Sequence, residues 1–307
     1  MALPACDGTL FKYGPHAAHV AFAPAPPTAA PARARVIIAV GGLTDGFFAT
    51  PYLPALTRAA ARAGWGLITP LLRSSHTGWG FGSLDEDAED LELLADYLGT
   101  ARGATEIALV GHSTGCQDAV RYAARQREQQ QQHQGGGGAT TTTRPTLTAV
   151  VLQAPVSDKD WLAGEASTAG RLEAARAAVA AGRPNEIIGR SEWDGAPLSA
   201  GRWLSLAGDR GDDDMFSADL TGEDLETRLV RPLAAVPRVL VLASAREQYV
   251  PPGTDVTAAA QRLAGAIGAK ARAVVLDGDH SLVGAEEEAG RVIADFVAGK
   301  EGGVRQD

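Results

Sequence analysis

The chain alternates short, unbroken apolar runs with longer stretches of helical periodicity, and that alternation admits few architectures. Val36-Ile-Ile-Ala-Val40 stops at Gly41-Gly42, and Trp65-Gly-Leu-Ile-Thr69 stops at Pro70. Ile107-Ala-Leu-Val110 stops at Gly111, and Ala149-Val-Val-Leu-Gln153 stops at Ala154-Pro155. Arg238-Val-Leu-Val-Leu242 and Ala273-Val-Val-Leu276 repeat the form. Runs of this length without polar alternation read as strands covered on both faces. With helical stretches between them, the order predicts an α/β fold: a mostly parallel, twisted sheet with helices on both faces. No run approaches the roughly 18–20 apolar residues of a membrane span.

One helix can be read in detail. Ser83-Leu-Asp-Glu86 has the form of a capping box, and Leu84, Ala88, Leu91, Leu94 and Leu98 follow at spacings of three or four. The acids Asp85, Glu86, Asp87, Glu89 and Asp90 fall in its first turns, where the helix dipole favours them, and read as a solvated face. Two segments break the alternation. Residues 127–143, rich in Gln, Gly and Thr, have no apolar periodicity and predict a low-complexity surface loop. Residues 156–237 are too long for a simple connection and too short to be convincing as a separate domain. The expectation is a single domain, 1–307, with 156–237 inserted as a helical cap over the sheet edge. The tail after Gly299 is expected to fray.

The charge balance excludes some partners. Lys plus Arg number 28 against 37 Asp plus Glu, a net charge of −9. That disfavours nucleic acid, whose backbone is bound by clustered positive charge. Two cysteines, Cys6 and Cys116, cannot make a disulfide scaffold or a four-thiolate zinc site. They fit a reducing, cytoplasmic setting, and the first residues lack the basic start and apolar core of a secretory signal.

The chemistry-bearing motif is Gly111-His112-Ser113-Thr114-Gly115, placed between the strand 107–110 and a helical run that opens at Cys116. Gly-x-Ser-x-Gly in a strand–turn–helix setting is a nucleophile elbow, which lifts a strained serine above the sheet at a helix N-terminus. A serine nucleophile needs a base. His112 adjoins Ser113 and diverges from it, and His133 lies in the Gln/Gly segment. His16 and His19 precede the first core strand. His280, in Gly278-Asp-His-Ser281 after the last apolar run, has the right place, with His76 second. The acid should follow the strand 238–242. Glu247 is the carboxylate in that turn, and Asp255 is the fallback. For the oxyanion, one backbone N–H is expected from Thr114. The second is expected from the loop Gly41-Gly-Leu-Thr-Asp-Gly46, with Leu43 first and Thr44 next.

These residues resemble the α/β-hydrolase superfamily. More narrowly, the chain resembles the fungal and plant family that includes the fusarinine C siderophore esterase, over roughly residues 8–296. The resemblance rests on Gly41–Gly46 with Pro51-Tyr-Leu53, on Ser74-Ser-His-Thr-Gly-Trp-Gly80 and on Gly111–Asp118. It also rests on Asp212-Asp-Asp-Met-Phe-Ser-Ala-Asp219, Tyr249-Val-Pro251 and Asp279-His280. Where the family has an acidic pair before Tyr-Val-Pro, this chain has Glu247 and Gln248.

The resemblance implies hydrolysis of a small-molecule ester, with siderophore esters of N-acyl ornithine as a candidate class. The residues predict a serine esterase in which Ser113 attacks, His280 is the base and Glu247 orients it. No cofactor and no metal are called for. The same residues would also serve a hydrolase-fold ligand receptor or a serine-triad lyase, and sequence does not separate these. Trp79, Trp193, Trp203, Phe216 and Tyr249 are candidate pocket residues. If the acids of 212–219 face the pocket, they would favour cationic substrates.

Overall fold

The structure, a computed structural model, describes residues 5–25, 34–135 and 144–300. Its first strands, β1 (Gly8–Lys12) and β2 (Val20–Pro24), pair antiparallel. There follow β3 (Arg35–Val40), α1 (Leu53–Arg62), β4 (Gly66–Pro70), α2 (Leu84–Arg102), β5 (Glu106–His112), α3 (Gly115–Gly135) and β6 (Thr146–Gln153). The long excursion after β6 holds α4 (Asp158–Leu162), α5 (Thr168–Ala180), a two-stranded ribbon of β7 (Ile187–Arg190) and β8 (Pro197–Ser199), α6 (Ala200–Ala207) and α7 (Gly222–Leu225). The chain then returns through β9 (Val239–Ser244), α8 (Val256–Ile267), β10 (Ala271–Leu276) and α9 (Glu286–Val297).

All six apolar runs are strands of one sheet, ordered β1-β2-β4-β3-β5-β6-β9-β10. β4, β3, β5, β6, β9 and β10 run parallel, and β2 joins β4 antiparallel. Successive residues of each parallel strand serve opposite layers. Ile37 and Leu240 point into the layer under α1 and α9, with Leu56 and Ile293. Ile38 and Leu109 point into the layer under α2, α3 and α8, with Leu94 and Leu263. Ile37, Ile38, Leu109 and Leu240 have no exposed surface, and burying each such side chain contributes about 1.5–3 kcal/mol. The chain order steps from β3 outward to β4 and then back across to β5, so a crevice opens at the C-terminal ends of the strands beside β3 and β5.

Three local readings are corrected. β1 and β2 were not expected; they form the rim of the sheet, where β1 is largely exposed and carries no buried run. Residues 127–135 continue α3 rather than opening a loop, because Gln, Arg and Glu are good helix formers even without an apolar stripe. Residues 136–143 lie outside the described residues, as do 1–4 and the tail from 301. In α2, the apolar stripe and the Ser83 cap are present, with Ser83 Oγ accepting from Glu86 N–H at 3.2 Å. The acid run, however, is not all solvated: Asp87 and Asp90 are buried. Asp90 accepts from Arg73 N–H and Nε–H, both at 2.8 Å, and pairs with His19 Nε2 at 2.8 Å.

No helix among the described residues is long and apolar enough to cross a membrane. The helices of the 156–237 excursion have a core of their own, built on Trp203, Leu162, Leu198 and Leu206, which also takes in Trp79 from the short turn His76–Gly80.

Candidate active site

Ser113 stands between β5 and α3 with φ of +53°. A non-glycine residue in the left-handed region is strained, and the surroundings must hold it there. Here they do so by close backbone packing. A methyl group on Gly115 would come within 2.5 Å of the Gly41 carbonyl, and one on Gly42 within 2.7 Å of Ser113 Cβ. The glycines of both motifs therefore let the β3 loop press directly against the elbow. The Ser113 N–H donates to the Gln153 carbonyl at 3.0 Å. Cys116 is buried behind the elbow, its Sγ within 3.3 Å of the Gly111 and Gln153 carbonyls, and burial pushes its thiol pKa up.

His280 follows β10, and its Nδ1 lies 2.8 Å from both carboxylate oxygens of Glu247. The two side chains are 8% and 2% exposed, so the pair is shielded from water. The fallback acid is accounted for otherwise: Asp255 caps α8, accepting from Ala258 N–H at 2.9 Å. His76 begins the short turn at 76–80 and packs against Gly46, outside the cavity that holds Ser113. Ser113 and His280 both line that cavity, of about 420 Å³, together with Leu43, Trp161, Trp193 and Tyr249.

Sequence reasoning missed the residue that ties these parts together. Gln153, fully buried at the end of β6, donates from Nε2 to the His280 carbonyl at 3.0 Å. Its Oε1 meets His112 Nδ1 at 2.6 Å and accepts from Tyr52 Oη at 3.3 Å. Its main-chain carbonyl holds the Ser113 N–H, so one residue braces both the elbow and the histidine loop. The Gln248 side chain adds a second brace, accepting from the His280 N–H at 3.0 Å. His112 makes its contact with Gln153 rather than with Ser113, and its ring, 4.8 Å from that of His280, borders the cavity. Burial holds its pKa down to about 3, so a neutral imidazole backs His280.

The loop after β3 is held by Asp45, whose Oδ2 accepts from Gly42 N–H at 2.7 Å; burial raises its pKa. Among the described residues, the Leu43 and Thr114 N–H groups make no hydrogen bond. Leu43 lines the cavity, and Thr114 lines a narrow adjoining hollow shared with Gly42 and Leu43. Thr44, the alternative donor, has a positive φ of 69°.

The other candidates divide. Trp193 and Tyr249 line the cavity; Trp79 and Trp203 are packed in the core of the excursion. Phe216 lines a separate recess. The acids of 212–219 do not line the cavity. Asp213 is paired with buried Arg202 at 2.7 and 2.9 Å, and Asp219 with Lys159 at 2.8 and 2.9 Å. Their charge is spent within the excursion.

A family model described as a protein of unknown function, DUF1749, matches residues 1–297. The chain belongs to the DUF1749 family. Among its relatives, UPF0613 protein PB24D3.06c of Schizosaccharomyces pombe is 31% identical over 237 residues, covering 72% of this chain and 70% of that one. Fusarinine C esterase sidJ of Aspergillus fumigatus is 30% identical over 261 residues, covering 71% and 72%. Among solved structures, siderophore hydrolase EstB from Aspergillus fumigatus superposes with a TM-score of 0.73 at 25% identity, covering 96% of each chain. This DUF1749 chain thus has the α/β-hydrolase fold that its motifs imply.

Proposed function

We propose that Ser113, His280 and Glu247 form a catalytic triad that cleaves carboxylic esters through an acyl-enzyme. The chain is a carboxylic ester hydrolase by its relatives and its fold; the assignment of roles is our reading. The observation that carries it is the shielded His280–Glu247 pair at 2.8 Å, sharing one site with a serine held at φ +53°. Glu247 fixes the tautomer with the proton on Nδ1, which leaves Nε2 to take the proton of Ser113 Oγ. Oγ attacks the ester carbon, and the N–H groups of Leu43 and Thr114 take up the oxyanion. His280 then protonates the departing alcohol, and water repeats the sequence to release the acid.

In this reading the chain is one hydrolase domain, and residues 156–237 act as a cap whose Trp161 and Trp193 wall the cavity. Siderophore esters of N-acyl ornithine are the proposed natural substrates, supported by the two Aspergillus relatives named for siderophore chemistry. A reducing, cytoplasmic setting is proposed on the two unpaired cysteines. The test is labelling with a fluorophosphonate, followed by hydrolysis of p-nitrophenyl acetate and of fusarinine C. Label should sit on Ser113, and Ser113→Ala should lower turnover about a thousandfold or more. Unchanged turnover in Ser113→Ala would overturn the roles; hydrolysis of the acetate without fusarinine C would overturn only the substrate.

A further inference from the structure

Among the described residues, no lysine or arginine lines the cavity that holds Ser113. Its carboxylates are Asp45 and Asp158, and its rings, the histidines apart, are Trp161, Trp193 and Tyr249. Of the two histidines, His112 is held neutral by burial. Asp45 closes the β3 loop on the Gly42 N–H, and Asp158 accepts from Gln117 Nε2 at 3.0 Å. Neither carboxylate makes a salt bridge among the described residues.

Asp158 begins α4 and is 8% exposed. A buried carboxylate without a counter-charge is costly and tends to take up a proton. Burial first, and then the charge of Asp213, push its pKa up to about 7. Arg202, whose charge also reaches it, is already paired with Asp213 at 2.7 and 2.9 Å. The protein itself therefore supplies no cation to this carboxyl group, and the cavity it lines is where one can arrive.

The rings suit the same guest. The centroid of Trp161 is 4.7 Å from that of Trp193 and 5.4 Å from that of Tyr249, with the planes inclined at 41° and 80°. Rings set at such angles offer one guest more than one π-surface, and a cation is drawn to each. Among the described residues, no arginine or lysine lies over any of the three; the cation–ring contacts are made elsewhere, on Phe11, Trp65, Tyr97, Trp203 and Phe296. Tyr249 also stands 4.6 Å from His280, so the group adjoins the proposed base.

We infer that Asp158 and the rings of Trp161, Trp193 and Tyr249 form a subsite for an ammonium group, so that the enzyme prefers an ester bearing a free amine to the same ester with that nitrogen acylated. The inference rests on the ester-hydrolysis reading and adds the charge of the substrate to it. An ornithine ester acylated on its side-chain nitrogen keeps such an amine, on the carbon next to the scissile carbonyl. The carboxylate accepts from the ammonium N–H groups, and the rings face the rest of the charge.

The test compares Nδ-acetylornithine methyl ester with its Nα,Nδ-diacetyl counterpart, which lacks the charge, on the wild type, Asp158→Asn and Trp193→Leu. The ratio of kcat/KM, free amine over acetylated, should be about ten or more in the wild type and fall about tenfold in Asp158→Asn. It should fall about threefold in Trp193→Leu, which replaces a partly exposed ring and decides alone if Asp158→Asn does not fold. A wild-type ratio of one or less, or a ratio that a folded Asp158→Asn leaves unmoved, overturns the subsite. A second arm needs no turnover: binding of Nδ-acetylornithine amide, by calorimetry, to Ser113→Ala and to Ser113→Ala/Asp158→Asn. Binding that weakens about tenfold in the double variant supports the subsite, and equal or absent binding in both overturns it. If the wild type cleaves neither ester while the amide binds in this pattern, the subsite stands and the hydrolase reading falls. If it cleaves both esters equally, the hydrolase reading stands and the subsite falls.

Discussion

Among the described residues, two buried histidine–carboxylate pairs have the same 2.8 Å contact, His280–Glu247 and His19–Asp90. They differ in what surrounds them. At His19 both ring nitrogens are occupied: Nε2 meets Asp90, and Nδ1 accepts the His16 N–H at 3.1 Å. Asp90 is further held by the Arg73 main chain and guanidinium. That pair pins the β1–β2 rim to α2 and has no nitrogen left for chemistry. At His280 only Nδ1 is taken among the described residues, and the ring lines a cavity with a strained serine. The pair alone does not distinguish the two; the unoccupied nitrogen and the space beside it are what support the proposed role of His280.

Substitution should separate the two pairs. His280→Ala should reduce turnover of p-nitrophenyl acetate by a thousandfold or more, whereas His19→Gln should leave turnover within about threefold and instead lower stability by about 1–3 kcal/mol in urea unfolding. A His19 variant that is folded and inactive would break the comparison. Smaller effects grade the support around His280. Glu247→Gln should cost at least about a hundredfold in kcat, while Asp255→Asn should leave kcat near wild type. Gln153→Leu, which removes one of the two braces on His280 and the partner of His112 Nδ1, should lower kcat about tenfold or more with KM little changed, as steady-state kinetics would read it. If Asp255→Asn is the more damaging change, Glu247 is not the acid.

The smallest expected effect is on the pH axis. His112 has a pKa of about 3 in the folded protein against an ordinary 6.5. Below pH 6.5 the unfolded chain therefore binds a proton that the folded site refuses. The stability this neutral ring contributes is complete above that value and is lost as the pH falls toward 3. His112→Asn should flatten the decline of Tm between pH 7 and pH 4, whatever it does to Tm at neutrality. An unchanged slope would mean that this ring does not stay neutral behind His280.

The parallel core was legible because strands buried on both faces must be written as unbroken apolar runs, as in Val36–Val40 and Val239–Leu242. The elbow was legible because the close approach of its backbone admits only glycine at positions 111 and 115. β1 was not: Gly-Thr-Leu-Phe-Lys on a largely exposed rim strand has too little burial to impose a pattern. Gln153 was invisible for a different reason. A glutamine at the end of a strand carries no periodic signal, and its partners lie 41, 101 and 127 residues away in the chain. The inward turn of Asp87 and Asp90 was hidden too, since five acids in a row of turns look alike until Arg73 and His19 are brought beside one of them.

The helix that begins two residues after Ser113 runs on through the glutamines to Gly135. At 1.5 Å per residue, its 21 residues carry the chain about 30 Å from Ser113. That length makes α3 a mast: its foot adjoins Ser113, the proposed nucleophile, and its tip is remote from it. A fluorophore or affinity handle inserted just beyond Gly135 would ride on the molecule without entering its chemistry.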